Sequence, residues 1–145
     1  MATYENRLKM QYLMRYIDSK RRARAILNEI HDLKDLATKI TVTFSDMPGG
    51  GGSVDKVGAI VANIVDLQSE LAVQAKTMKA EQEIVQAVID AVDEPDLRQL
   101  LILRYINGLT WEKIAVDMNY SWRHTLRLHG AALAAVKIPG MTIMS

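Results

Sequence analysis

The chain has 145 residues, of which 49% are hydrophobic, with a net charge of +1 and no cysteine. That length suits one domain, or a small domain with an extension. Without cysteine there is no disulfide framework and no thiolate metal site, and a balance so close to neutral is far from that of a protein that coats DNA. No apolar run approaches the ~18 residues of a membrane span. The opening "MATYENRLKM" is charged and polar, unlike a signal peptide, so the expectation is a soluble, intracellular protein that does not touch membrane.

The small total hides a segregation of charge. Residues 1–39 carry nine Lys/Arg against five Asp/Glu, a net of +4. Residues 40–93 carry three against eight, a net of −5. Residues 94–145 carry six against four, a net of +2, and there is no acid between Ser121 and Ser145.

In chain order, apolar residues recur at helical spacing nearly everywhere, and glycine and proline mark the breaks. Tyr12, Leu13, Tyr16 and Ile17 form a first apolar face, the phase slips around "KRRAR" (20–24), and Ile26, Ile30, Leu33, Ala37 and Ile40 then alternate steps of four and three. The spacing predicts one long helix over about 4–41. "SDMPGGGGSVDK" at 45–56 interrupts it, because four successive glycines each weaken a helix by roughly 1 kcal/mol relative to alanine. A second long helix is predicted over 54–92. Val57, Ile64, Leu71, Met78, Val85 and Val92 hold one heptad position throughout; Ile60, Leu67 and Val88 hold its companion, which Gln74 and Glu81 interrupt. A 3.5-residue period sustained this far argues for a coiled coil. At 1.5 Å per residue each helix would span roughly 55 Å, too long and narrow to bury itself alone. An antiparallel hairpin, self-association, or both would cover the apolar stripes.

The glycines do not form a phosphate loop. That motif needs Lys-Ser/Thr directly after its last glycine and a strand before it, whereas Gly52 is followed by Ser53 and Val54. A hairpin tip or hinge is the reading preferred; "GGGGS" also has the form of an engineered linker.

From residue 94 the elements shorten. "DEPD" (93–96) opens a helix, with Asp93 as a cap and Pro95 in its first turn. Leu97, Leu100, Leu101 and Leu103 give it an apolar face, and Gly108 suits the C′ position at its end. Thr110 caps the next helix, "WEKIAVDM", with Glu112 in its first turn. Ala115 stands where a crossing helix would need a small residue, and Asn119, four later, where a left-handed backbone is required. Ser121 caps a last helix over 121–136, which "IPG" (138–140) ends.

With Thr125 turned inward, Ser121, Leu128 and Ala132 share its side and His129 lies near the edge. Arg123 and Arg127 then point outward, flanked by Trp122 and Leu126. This arrangement suits a helix entering the major groove, where arginine can bond guanine O6 and N7 bidentately for ~1–3 kcal/mol of discrimination. Trp122 has two readings, partly buried packing or contact with a thymine methyl or sugar edge. Trp111 is a packing residue or a donor to phosphate, with packing preferred. Arg104 is equally a phosphate contact or a structural ion pair, and Thr110 and Lys113 are further candidates for phosphate. His124 and His129, five apart, share no helix face and make a poor metal pair. No metal or cofactor is expected, and without a histidine–carboxylate cluster the chain is not expected to be an enzyme.

The stretch "LILRYINGLTWEKIAVDMNYSWRHTLRLHGAAL" resembles region 4 of bacterial sigma factors as it occurs in small phage regulators, the ArpU- and RinA-like late transcriptional regulators of phages of Gram-positive bacteria. The similar positions follow L-R-Y-I-N-G-x-[ST]-W-E-x-I-A and then Y-S-x-x-H-x-x-R-L-H-G-x-A-L. Relatives also look similar around D-M-P-x-G-G-G-x-x-D-K-V, which marks the glycines as native. The resemblance implies promoter or operator binding and activation of late genes in the cytoplasm of a bacterial host. Carried over, the DNA-reading residues are Ser121, Trp122, Arg123, His124, Leu126 and Arg127. This chain departs from the pattern at Thr125, where valine is usual, and at Trp122 and Leu126, which are more apolar than the usual Arg/Ser and Tyr. The first departure softens the core contact slightly, and the other two imply a different DNA sequence read.

The expected fold is therefore all-α: a long antiparallel coiled-coil hairpin over 1–92, a sigma region 4-like helix-turn-helix domain over 93–138 and a tail over 139–145. The expected partners are double-stranded DNA, further copies of the chain through 1–92, and host RNA polymerase. The alternative is a phage DNA-packaging protein of the small-terminase kind, or a structural adaptor. Such packaging proteins usually place the DNA-binding part first, and here it comes last.

Overall fold

The computed structural model describes residues 3–44 and 51–140. The described chain is all-helical: α1 (Tyr4–Leu13), α2 (Arg15–Phe44), α3 (Gly51–Asp90), α4 (Pro95–Tyr105), α5 (Trp111–Met118) and α6 (Trp122–Ala135). It divides into two compact units. Unit 1 is Met1–Ser19 with Lys79–Ser145, and unit 2 is Lys20–Met78.

Several predicted boundaries need correction. The helix expected over 4–41 is broken at Met14, whose N–H is shared between the carbonyls of Met10 and Tyr12 at φ −72°, ψ −9°. The ladder resumes at once, with Asp18 N–H on Met14 O at 2.9 Å. The phase slip assigned to 20–24 thus begins about two turns earlier. Of the glycine segment, 45–50 lies outside the described residues, while Gly51 and Gly52 are helical, against the expectation of a break through 56. The first N–H groups of any helix lack a partner one turn back, so a glycine there loses entropy and no hydrogen bond. At the other end α3 stops at Asp90 rather than at residue 92.

Unit 1 is a small helical core. Its buried side chains include Leu13, Tyr16, Ile17, Val85, Val88, Ile89, Val92, Leu97, Leu100, Leu101, Tyr105, Ile114 and Leu133. Each such aliphatic side chain contributes ~1.5–3 kcal/mol when fully withdrawn from water. Helix α4 packs on α5 and α6, and α1 packs on α6. Glu81, one of the two interruptions of the heptad pattern, is accounted for by Arg15: the two form an ion pair between α2 and α3, and Arg15 also lies 4.8 Å from the Tyr12 ring centroid. The hydrogen bond to Glu81 raises the Arg15 pKa further.

Polar groups are drawn into this core with partners. Lys9, 2% exposed, donates from Nζ to Leu133 O at 2.9 Å, taking up a carbonyl in the last turn of α6, and pairs with Glu5 at 3.2 Å. Arg98 donates to Val92 O at 3.0 Å and closes the link from α3 to α4. The cap of α4 is Glu94, without a side-chain bond, and not the expected Asp93; Pro95 begins the helix. Gly108 adopts φ +70°, a conformation that calls for glycine, and a Cβ there would stand 3.3 Å from Ile17 Cδ1, close enough that Ile17 would have to shift slightly.

Besides the half-buried Lys20, the least exposed residues of unit 2 are Ala23, Ile26, Ile30, Leu33, Ala37 and Ile40 on α2, and Val57, Ile60, Ile64, Leu67, Leu71, Gln74 and Met78 on α3. Their alternating steps of three and four reproduce the predicted stripes, lengthened by Ala23. Ile30 and Ile64 are the buried ones.

Candidate nucleic-acid interface

The candidate surface is built by α5, a three-residue turn and α6. Thr110 caps α5, its hydroxyl accepting from Lys113 N–H at 3.3 Å. Ile114 and Ala115 are buried beneath. Asn119 ends the helix at φ 61°, ψ 41°, the left-handed conformation its position predicts. The Tyr120 amide then returns to Ala115 O at 3.0 Å. The Tyr120 hydroxyl reaches Asp96 at 3.5 Å, and its ring meets His124 edge-on at 4.6 Å. Ser121 caps α6, its hydroxyl accepting from His124 N–H at 3.1 Å.

The inward side of α6 differs from expectation at Ser121, Leu128 and His129. Thr125 is buried and donates to Ser121 O at 2.8 Å. His129, Ala132 and Leu133 are buried with it, while Leu128 is only half-buried and Ser121 is exposed. His129 belongs to the interior: its Nε2 lies 2.7 Å from the Tyr105 hydroxyl and its ring 4.4 Å from that of Trp111. Burial, assisted by the charge of Arg104, lowers the His129 pKa to about 4. Burial raises that of Tyr105 to about 12, against the opposing effect of Arg104. Both groups are therefore neutral at pH 7, which suits a phenol donating to an unprotonated Nε2.

Arg104 has a structural role within the fold. Its Nη1 donates to Leu109 O at 2.9 Å and its guanidinium lies 4.6 Å from the Trp111 ring centroid, so it braces the link between α4 and α5. Trp111 is half-buried between Arg104 and His129, as packing requires. Thr110 and Lys113 remain at the surface. The role of Tyr105 was missed, since nothing local in "LILRYING" marks a partner 24 residues away.

The outward side carries the rest of the candidate set. Arg123 and Arg127 are exposed and one turn apart; Trp122 and Leu126, also one turn apart, are 47% and 40% exposed. His124 is half-buried against Tyr120. Past Arg127 the exposed positions are Ala131, Ala134 and Ala135, so the long side chains gather on the first half of α6. No acid occurs on α6, and its N-terminus adds the positive end of the helix dipole.

The comparisons add no relative. No family model, curated protein or solved structure matches the chain. Among the described residues, no helix is long and apolar enough to cross a membrane.

Proposed function

We propose that this chain is a sequence-specific, double-stranded DNA-binding transcription regulator. In this reading α5 and α6 form a helix-turn-helix, and α6 enters the major groove with Arg123 and Arg127 on base edges and Trp122 and Leu126 beside thymine methyl groups. Ser121 and His124 hold the turn against the duplex, and Thr110 and Lys113 lie toward phosphate. Residues 1–92 assemble copies through an antiparallel coiled-coil hairpin, so that two recognition helices meet spaced half-sites. The resemblance to sigma region 4-like phage regulators extends the proposal to activation of late genes, with host RNA polymerase as a partner, in the bacterial cytoplasm.

One observation carries the reading. The exposed arginine row stands on a helix whose opposite side is locked by Thr125, His129 and Leu133, directly after a left-handed Asn119. A reading helix needs this combination of a rigid inner face and long polar side chains outside. The matched 3.5-residue stripes of α2 and α3 support the hairpin.

The test is fluorescence anisotropy on duplexes selected from a random pool, at two salt concentrations. Arg123→Ala and Arg127→Ala should each abolish the preference for the enriched duplex, by about 1–3 kcal/mol per lost bidentate contact, with unchanged helicity. A second reading, a packaging or structural adaptor, draws support from Val116, 77% exposed, near the exposed Trp122 in sequence. It takes first place if no duplex is enriched and both variants behave as wild type.

A further inference from the structure

Helix α3 carries a second apolar stripe, and this one is exposed. Beside the inner stripe that runs from Val57 to Met78, a further series falls at positions 54, 58, 61, 65, 68, 72 and 75. Its steps alternate four and three, the spacing of a coiled-coil seam. It lies roughly 50–100° round the helix from the Val57, Ile64 and Leu71 line. Val54, Val61 and Val65 are 71%, 48% and 53% exposed. Gly58, Ala72 and Ala75 continue the line, also exposed, and Gln68 is its one polar side chain. The charges of 54–78, which are Asp55, Lys56, Asp66, Glu70 and Lys76, all fall outside both stripes.

The helix itself gains nothing from these residues. Valine is stiff at χ1 and a poorer helix former than alanine, and glycine is poorer still. Gly58 has no positive φ to require it, and a Cβ there would meet nothing within 4 Å. Its small size answers no need within the described residues, whereas a second helix backbone in close approach would use it.

The charges beside the stripe indicate what that second helix is. Asp55 and Lys76, three heptads apart, flank it on the side away from Val57. Neither has an opposite charge one turn away on its own helix: Asp55 has Gly51, Gly52, Gly58 and Ala59, and Lys76 has Ala72, Val73, Lys79 and Ala80. A second α3 can be laid antiparallel with Gly58 against Ala75 of the other copy. Val61 then meets Ala72, Val65 meets Gln68, and Asp55 comes beside Lys76. Two-fold symmetry makes each of these contacts twice. In a parallel pair Asp55 and Lys76 would instead face the apolar Val57, Ile64 and Leu71 line, so the flanking charges select the antiparallel mate.

We infer that the exposed stripe of α3, from Val54 to Ala75, is a docking surface for a second copy of this chain. The two α3 helices run antiparallel, with Asp55 paired to Lys76 across the interface at both ends. The inference deepens the assembly through residues 1–92 proposed above and rests on it. Below the dimer Kd the three valines are exposed, and association covers them.

The chain has no cysteine, so introduced thiols report the register. Full-length Gly58→Cys and Ala75→Cys proteins are treated with a short bis-maleimide cross-linker, each alone and as an equimolar mixture left to exchange. A covalent dimer should form in the mixture and in neither protein alone. Self-linking of either variant, or no linking in the mixture, overturns the inference. Sedimentation equilibrium gives a second readout. Asp55→Lys should raise the dimer Kd roughly 2- to 30-fold, as expected for the loss of two exposed ion pairs. Adding Lys76→Asp to it should restore the wild-type Kd, with equal helicity by circular dichroism throughout. A dimer indifferent to Asp55→Lys overturns the inference and leaves assembly to another face of 1–92. A wild-type chain that is monomeric at every concentration overturns both the inference and that assembly, while duplex binding is decided separately by the Arg123→Ala measurement.

Discussion

Unit 1 and unit 2 bury their helices by different means. In unit 1 short helices meet from several directions, and the interior takes in Lys9, Ser19, Thr125 and His129 as well as its aliphatic side chains. Among the described residues no buried side-chain nitrogen or oxygen lacks a hydrogen bond. In unit 2 each helix offers one stripe, and Leu36, Val61, Val65 and Val73 remain 46%, 48%, 53% and 67% exposed beside it. A core closed from several sides can hold a buried cation and a neutral histidine in fixed places. A pair of stripes specifies register along the helix and little else.

The sharpest way to break this contrast is a matched pair of truncations. Leu101→Ala in unit 1 should cost about 2–5 kcal/mol in urea denaturation, as expected for a fully enclosed leucine. Val61→Ala in unit 2 should stay within about 0.5 kcal/mol. Equal effects would mean that the exposed valine is covered by another molecule in solution.

Next in size is the pH dependence that His129 brings to unit 1. Its native pKa of about 4 lies below the ordinary 6.5, so the native state binds fewer protons than the unfolded one between those values. Stability is therefore complete above pH 6.5 and falls as the pH drops toward 4, by on the order of 3 kcal/mol in all. His129→Gln should flatten that limb in urea titrations near pH 7 and pH 4.5, and an unaltered limb would refute the assignment to His129.

Lys9→Met should follow, with a loss of about 1–3 kcal/mol, because Leu133 O then exchanges a charged donor for the Val136 amide alone, 3.2 Å away. An unchanged melting curve would show that water replaces the ammonium. The smallest effect has the opposite sign. A Cβ at Gly130 meets nothing within 4 Å, so Gly130→Ala should stabilise α6 by up to ~1 kcal/mol. Should the same variant weaken duplex binding, close approach of DNA to that face would explain why glycine stands there.

What could be read in advance was whatever depends on neighbours in sequence. Thr110, Asn119 and Ser121 act within four residues of themselves, and each does what its type and position predict. The stripes on α2 and α3 were legible for the same reason, as a period repeated over many turns. Three contacts were not legible: Lys9 to Leu133, Arg15 to Glu81, and Tyr105 to His129. Each joins residues far apart in sequence, and a charged or polar residue alone does not announce whether the fold will enclose it. Glu81 left a trace as a flaw in the heptads, though the flaw named no partner. The break at Met14 left none, since a helix can relax one hydrogen bond without any change in residue type.

The Lys9–Leu133 bond also sets an order of events during synthesis. Its two partners are 124 residues apart, and at ~5–20 residues per second a ribosome needs roughly 6–25 s to make the second after the first. Both helical segments of unit 2 leave the ribosome before α4, α5 and α6, so they can pair while translation continues. Helix α1 must wait with an amphipathic face uncovered until α6 emerges. Of the six helices described, α1 is thus made first and is among the last to be buried, open meanwhile to proteases and chaperones.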